Sequence, residues 1–178
     1  RVATGSLGQG LAAGIGMAIA INHDRGDQRV FVLLGDGEMA EGSVWEAMNL
    51  APSLGVNNLC AVLDMNRLGQ SEPTVFGWNS GNYAAKAVAF GWDVYECDGH
   101  DVKALQGAFK KARNSNKPAF IVAKTIKGKG VSFLEDVDDM HGKAVSNDKI
   151  EAAVAEIENK LKPTDEVPAN FKSASDNL

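Results

Sequence analysis

Two short segments place metal- and phosphate-binding chemistry in this chain. Gly35-Asp36-Gly37 directly follows an apolar run at 29–34, and Asp64-Met65-Asn66-Arg67-Leu68 directly follows a second one at 58–63. An aspartate carboxylate and an asparagine amide oxygen are hard oxygen donors, of the kind Mg²⁺ takes when phosphate oxygens and water complete its octahedron. Gly35 and Gly37 allow a phosphate to come close to the backbone. Asp and Asn after strands ordinarily make turns or cap helices, so the position of the two segments decides what they do.

The surrounding elements supply that position. A helix predicted at 43–54 separates the two strands, and strand, helix and strand of this length make one βαβ unit. The right-handed crossover puts both strand ends on one rim of a parallel sheet, which is where such sheets bind ligands. Residues 7–22 are small and apolar almost all round, predicting a buried helix. A glycine- and proline-marked loop at 66–80 follows, then a helix near 83–90, a strand at 92–97, a helix at 101–114 with Asp101 as its N-cap, and a strand at 119–124. A polar loop at 127–142 and a surface helix at 147–161 complete the order. The expected fold class is α/β, a parallel sheet with helices on both faces, in one domain spanning 1–162. Residues 163–178 read as a flexible tail, rich in Pro, Thr, Ser, Asp and Asn.

Composition narrows the function. A chain of 178 residues makes one domain with a substantial core. A net charge of −5 with scattered Lys and Arg argues against nucleic acid as a partner. No apolar run reaches the length of a membrane span, and no signal peptide is recognisable. Cys60 and Cys97 form no Cys-x-x-Cys pair, so neither a zinc site nor a disulfide framework follows, and a reducing cytoplasm is expected. Gly8-x-Gly10-x-x-x-Gly14 looks like a dinucleotide loop, but that fingerprint must follow a strand, and only four residues precede Gly5. His23 reads as a helix-end surface residue, His100 as a loop or capping residue, and Glu38 as a surface or loop carboxylate. Lys127 and Lys129 could hold an anion, although solvated loop lysines are the plainer account.

Four blocks in a fixed order now point to a family. Gly35-Asp36-Gly37-Glu38 through Asn66-Arg67-Leu68 resembles the signature of thiamine-diphosphate enzymes. Thr4-Gly5-Ser6-Leu7-Gly8-Gln9-Gly10, Glu41-Gly42 and Lys124-Thr125-Ile126-Lys127-Gly128-Lys129-Gly130 narrow the resemblance to transketolases, and to the N-terminal, diphosphate-binding subunit of a split, two-gene enzyme. The resemblance covers about residues 1–160. It implies that Asp36, Asn66 and the Leu68 carbonyl hold Mg²⁺, with Gly35 and Gly37 beside the diphosphate of thiamine diphosphate. It also implies that Gly5, Ser6 and Leu7 pass beside the cofactor rings; Ser6 stands where transketolases often have proline. Glu41, at a position that the helix dipole alone would favour, is expected at a subunit interface, where it couples two active sites through shared protons. His141 is expected to reach the diphosphate side and assist proton transfer on the substrate. The implied reaction moves a two-carbon ketol unit between ketose and aldose phosphates of the pentose phosphate pathway.

The glutamate that activates the cofactor lies on the family's other domain and has no match here. Histidines that precede the Thr4-Gly5 block in the family are also absent, and an N-terminal part of the domain is expected to be missing. A pyrimidine-binding, C-terminal subunit is therefore the expected partner, in a homodimer or heterotetramer. Other thiamine-diphosphate enzymes (deoxyxylulose-phosphate synthase, dihydroxyacetone synthase, a 2-oxo acid dehydrogenase E1 subunit) share the metal motif, and a non-catalytic, truncated transketolase-like protein is the further alternative.

Overall fold

A computed structural model describes residues 2–161, so the tail expected at 163–178 lies outside the described residues. The order is α1 (Gly10–His23), β1 (Val30–Gly35), a single 3₁₀ turn (Glu38–Ala40), α2 (Gly42–Ser53), β2 (Leu59–Met65), α3 (Ser80–Phe90), β3 (Asp93–Asp98), α4 (Val102–Arg113), β4 (Ala119–Lys124) and α5 (Asn147–Glu158). All four strands are parallel, in the order β1-β2-β4-β3. This is the expected α/β fold, with strand bounds within two residues of those read from the apolar runs.

Alternation along the strands divides the core. Val30, Val32 and Leu34 of β1, with Leu59, Ala61, Leu63 and Met65 of β2, face the large core under α1, α2 and α3. Cys60, Ala119 and Ile121 face the other way, against Ala108 and Ala112 of α4. Period-two burial of this kind follows from the pleat, and helices on both faces follow from the parallel crossovers. Gly14 is what lets α1 lie on β1, because a Cβ there would strike the Val32 side chain. Asp101 caps α4 as expected, its Oδ1 accepting from the Lys103 and Ala104 amides at 2.8 and 3.2 Å.

Two surfaces depart from a fully covered sandwich. Only Leu11, Gly14, Ile15 and Ala18 of α1 are buried; Ala12, Ala13, Gly16, Met17, Ile19 and Ala20 are open. The expectation of an all-round buried helix is thus corrected to burial along one stripe, because nothing among the described residues packs on the opposite apolar face. On the α4 side of the sheet, Phe31 and Leu33 of β1 are 57% and 73% exposed, since α4 packs mainly over β3 and β4 and meets β1 through an edge contact of Phe109 with Phe31.

Candidate functional site

The strand ends meet as the topology requires. Gly35 is in register with Asp64, and Asp64 with Ala123, so the segments after β1, β2 and β4 leave the same rim. There they enclose a cavity of about 630 Å³ lined by Leu7, Gly35, Asp36, Gly37, Asn66, Leu68 and His141, with Glu38, Asp64, His100 and the 125–129 segment completing the wall. That volume suits a cofactor-sized ligand.

Asp36 lies on the cavity floor, 3% exposed. Its Oδ1 accepts from the Gly37 amide at 2.9 Å and its Oδ2 from the Arg67 amide at 2.6 Å. Among the described residues no side-chain cation lies within 4 Å of Asp36 or of the neighbouring Asp64. Burial therefore pushes the Asp36 carboxyl above its ordinary value, the backbone amides of Arg67, Gly37 and Asn66 pull it back in part, and the charge of Asp64 adds to the rise. Buried carboxylates are normally paired with a cation or bound to a metal, and here the described residues supply no such cation. No cluster of three or more His, Cys, Asp or Glu among the described residues makes a metal cage. With Asp64 engaged by Asn66 and Thr125 and Glu38 by backbone amides, the Asp36 carboxylate, the Asn66 amide oxygen and backbone carbonyls remain, a set that fits Mg²⁺ shared with phosphate.

Asn66 is held in a defined orientation. Its Nδ2 donates to Asp64 Oδ1 at 3.3 Å, and its Oδ1 accepts from the Leu68 amide at 3.1 Å. The Thr125 hydroxyl donates to the same Asp64 oxygen. An ionised carboxylate only accepts, so Asp64 turns the amide nitrogen of Asn66 toward itself and leaves the amide oxygen, with its second lone pair, on the other side.

His141 stands at the cavity edge with its Nδ1 3.1 Å from Lys127 Nζ. The contact ties the end of the 127–142 loop to its beginning. His100 has a loop role as expected, its Nε2 accepting from the Ile126 amide at 2.8 Å. Lys129 pairs with Glu135 at 3.4 Å. Gly5, Ser6 and Glu41 do not line the cavity. Gly5 has φ +64 in the approach to α1, the Ser6 amide donates to the Thr4 carbonyl at 2.6 Å, and exposed Glu41 stands at the N-cap of α2 without a side-chain capping bond.

Glu38 is the main correction. Far from a solvated loop carboxylate, it accepts from the Gly8 amide through Oε1 at 2.8 Å and from the Gly35 amide through Oε2 at 3.2 Å. One side chain thus joins the loop before α1 to the end of β1, and Ser43 Oγ reinforces the joint by donating to the Gly8 carbonyl at 2.9 Å. No motif announced this, since the partners are backbone donors that any residue carries. Glu38→Ala is expected to cost about 1.5–3 kcal/mol, the range for hydrogen bonds to a charged group, measurable as a lowered midpoint in urea.

The raised Asp36 value also predicts a pH dependence. A carboxyl that holds its proton more tightly folded than unfolded makes stability fall as pH rises through the window between its ordinary and its raised value. The ligand-free chain therefore gains stability from this group as pH falls through the raised value. Carboxylates held low, such as Glu135 and Glu156, act in the opposite sense, so the difference between wild type and Asp36→Ala isolates the effect. Denaturation across a pH series is expected to show that difference changing in this window, and Mg²⁺ affinity falling there because the cation competes with the proton.

The fold and site together define a thiamine-diphosphate-binding α/β domain. The family profile described as "Transketolase, thiamine diphosphate binding domain" matches residues 1–177, and the chain belongs to the transketolase family. It is 48% identical over 162 residues to transketolase-like protein 2 of Mus musculus, covering 90% of this chain and 26% of that protein. It is 46% identical over 157 residues to transketolase of Homo sapiens, covering 88% and 25%. The crystal structure of transketolase from Campylobacter jejuni superposes with a TM-score of 0.80 at 32% identity, over 88% of this chain and 26% of that one. The chain thus spans about a quarter of the length of the relatives it matches.

Proposed function

We propose that this chain is the diphosphate-binding unit of a transketolase, acting with thiamine diphosphate and Mg²⁺ to transfer a two-carbon ketol unit between ketose and aldose phosphates. One observation carries the reading: Asp36, buried on the floor of a cofactor-sized cavity, has no side-chain cation within 4 Å among the described residues, in a chain of this family. The side-chain oxygens of Asp36 and Asn66 and the Leu68 carbonyl would hold the metal. Gly35 and Gly37 would give the diphosphate access to the backbone, and Leu7, on the cavity wall, would meet the cofactor rings at the end of the Gly5-Ser6-Leu7 segment.

When bound, thiamine diphosphate supplies the electron sink that allows a carbon–carbon bond beside a ketone to be made and broken. The work of this chain is to position and to exchange protons. His141, at the cavity edge, assists proton transfer on the substrate at the diphosphate side. Glu41 acts at the subunit contact, where it couples the proton inventories of two sites.

A pyrimidine-binding, C-terminal unit completes the site, in a homodimer or heterotetramer working on sugar phosphates in the cytoplasm. The open apolar face of α1 and the exposed Phe31 and Leu33 of β1 support a partner surface, and free Cys60 and Cys97 suit a reducing compartment. With the partner supplied, xylulose phosphate is expected to serve as donor and pyruvate to fail. Turnover of pyruvate would move the chain to the oxo-acid branch of thiamine-diphosphate enzymes, and cofactor binding without turnover would make it a non-catalytic relative.

A further inference from the structure

Arg67 joins the cavity floor to the loop above it. Its backbone lies in the left-handed region, at φ +66, which few non-glycine residues adopt and which tends to mark functional sites. That conformation aims its N–H at Asp36 Oδ2, 2.6 Å away, while the side chain runs to the 127–142 loop. There Nε pairs with Asp136 Oδ1 at 2.6 Å, a terminal nitrogen donates to the Asp136 carbonyl at 3.2 Å, and Asp138 lies 3.8 Å from the other. The guanidinium also sits 5.4 Å from the centroid of Trp78.

The loop it grips is closed on itself. The Asp136 amide donates to the Lys127 carbonyl at 2.9 Å, and Gly128, at φ +78, packs so closely on the Leu134 carbonyl that no side chain fits there. Lys127 in turn contacts His141. A continuous series of contacts therefore runs from Asp36 through Arg67, Asp136 and Lys127 to His141.

We propose that Arg67 is a positioning residue, latching the 127–142 loop over the cavity so that Lys127 and His141 face an anionic ligand held at Asp36. The proposal rests on the reading of that cavity as a metal–diphosphate site. An arginine suits the task because its planar fork engages the carboxylate and carbonyl of Asp136 together and stacks on an aromatic ring; lysine offers only a point charge.

Hydrogen exchange and titration with thiamine diphosphate plus Mg²⁺ test it on the whole chain. Arg67→Gln and Asp136→Asn break the latch from opposite ends, and the second leaves the backbone at Asp36 untouched. Both are expected to raise amide exchange at 127–141 at least about tenfold, with β1 and β2 unchanged, and to weaken ligand binding about tenfold. Arg67→Lys is expected to restore part of both effects. Unchanged exchange in both variants overturns the latch, and faster exchange with unchanged affinity overturns its positioning role. If wild type itself fails to bind the cofactor, the reading of the cavity fails, and exchange alone still decides whether the latch exists.

Discussion

Asp36→Ala is expected to weaken Mg²⁺-dependent binding of thiamine diphosphate by at least about a hundredfold, since outer-sphere partners alone are worth ten- to a hundredfold. Asp36 is the only carboxylate in the proposed donor set; Asn66 and Leu68 contribute neutral oxygens, so Asp36 is the only charge the chain itself would place on the cation. The fold should survive. Truncation orphans the amides of Gly37 and Arg67, a loss of about 1–3 kcal/mol, and removes a buried carboxylate that lacks a side-chain cation, which offsets part of it. Equilibrium dialysis with labelled cofactor, beside a circular dichroism melt, separates the two effects. Asp36→Asn keeps the shape and loses the charge, so it should bind as poorly as alanine. If either variant binds as wild type does, the metal lies elsewhere.

The second large effect is on turnover. This chain alone is expected to give no ketol transfer above background. Mixed with a chain carrying the remaining length of the human transketolase relative, it should accelerate transfer from xylulose phosphate more than about a thousandfold over the uncatalysed reaction, a modest demand for an enzyme. The physical ground is the pair of surfaces left open among the described residues. A helix apolar all round is normally buried, yet Met17 and Ile19 of α1 are each 41% exposed. The same complemented assembly made with Asp36→Ala should stay at background. Full activity from the single chain would overturn the half-site reading.

What the sequence revealed and what it hid have physical causes. β-branched runs ending in Gly35 and Asp64 made the strands, their parallel pairing and their shared rim legible, because strand alternation and right-handed crossovers leave few topologies. Asp36 and Asn66 were legible as rim residues for the same reason: each directly follows a strand, β1 and β2 respectively. Asp101 was found because capping is local. Glu38 was missed because its partners are backbone amides, one of them thirty positions away at Gly8. Arg67 was missed because nothing in Asn66-Arg67-Leu68 announces a left-handed backbone, and its partner Asp136 is 69 positions along. The face of α1 was legible as apolar, but whether an apolar face is covered depends on what meets it, and that is not written in the helix.

Calorimetric titration of thiamine diphosphate into the wild-type chain, with Mg²⁺ present and again after chelation, tests the central claim most directly. The account predicts saturable one-to-one binding with Mg²⁺, lost on chelation and competed away by inorganic pyrophosphate. Absence of saturable binding, or the same affinity with the metal removed, would contradict a preformed metal–diphosphate clamp at Asp36.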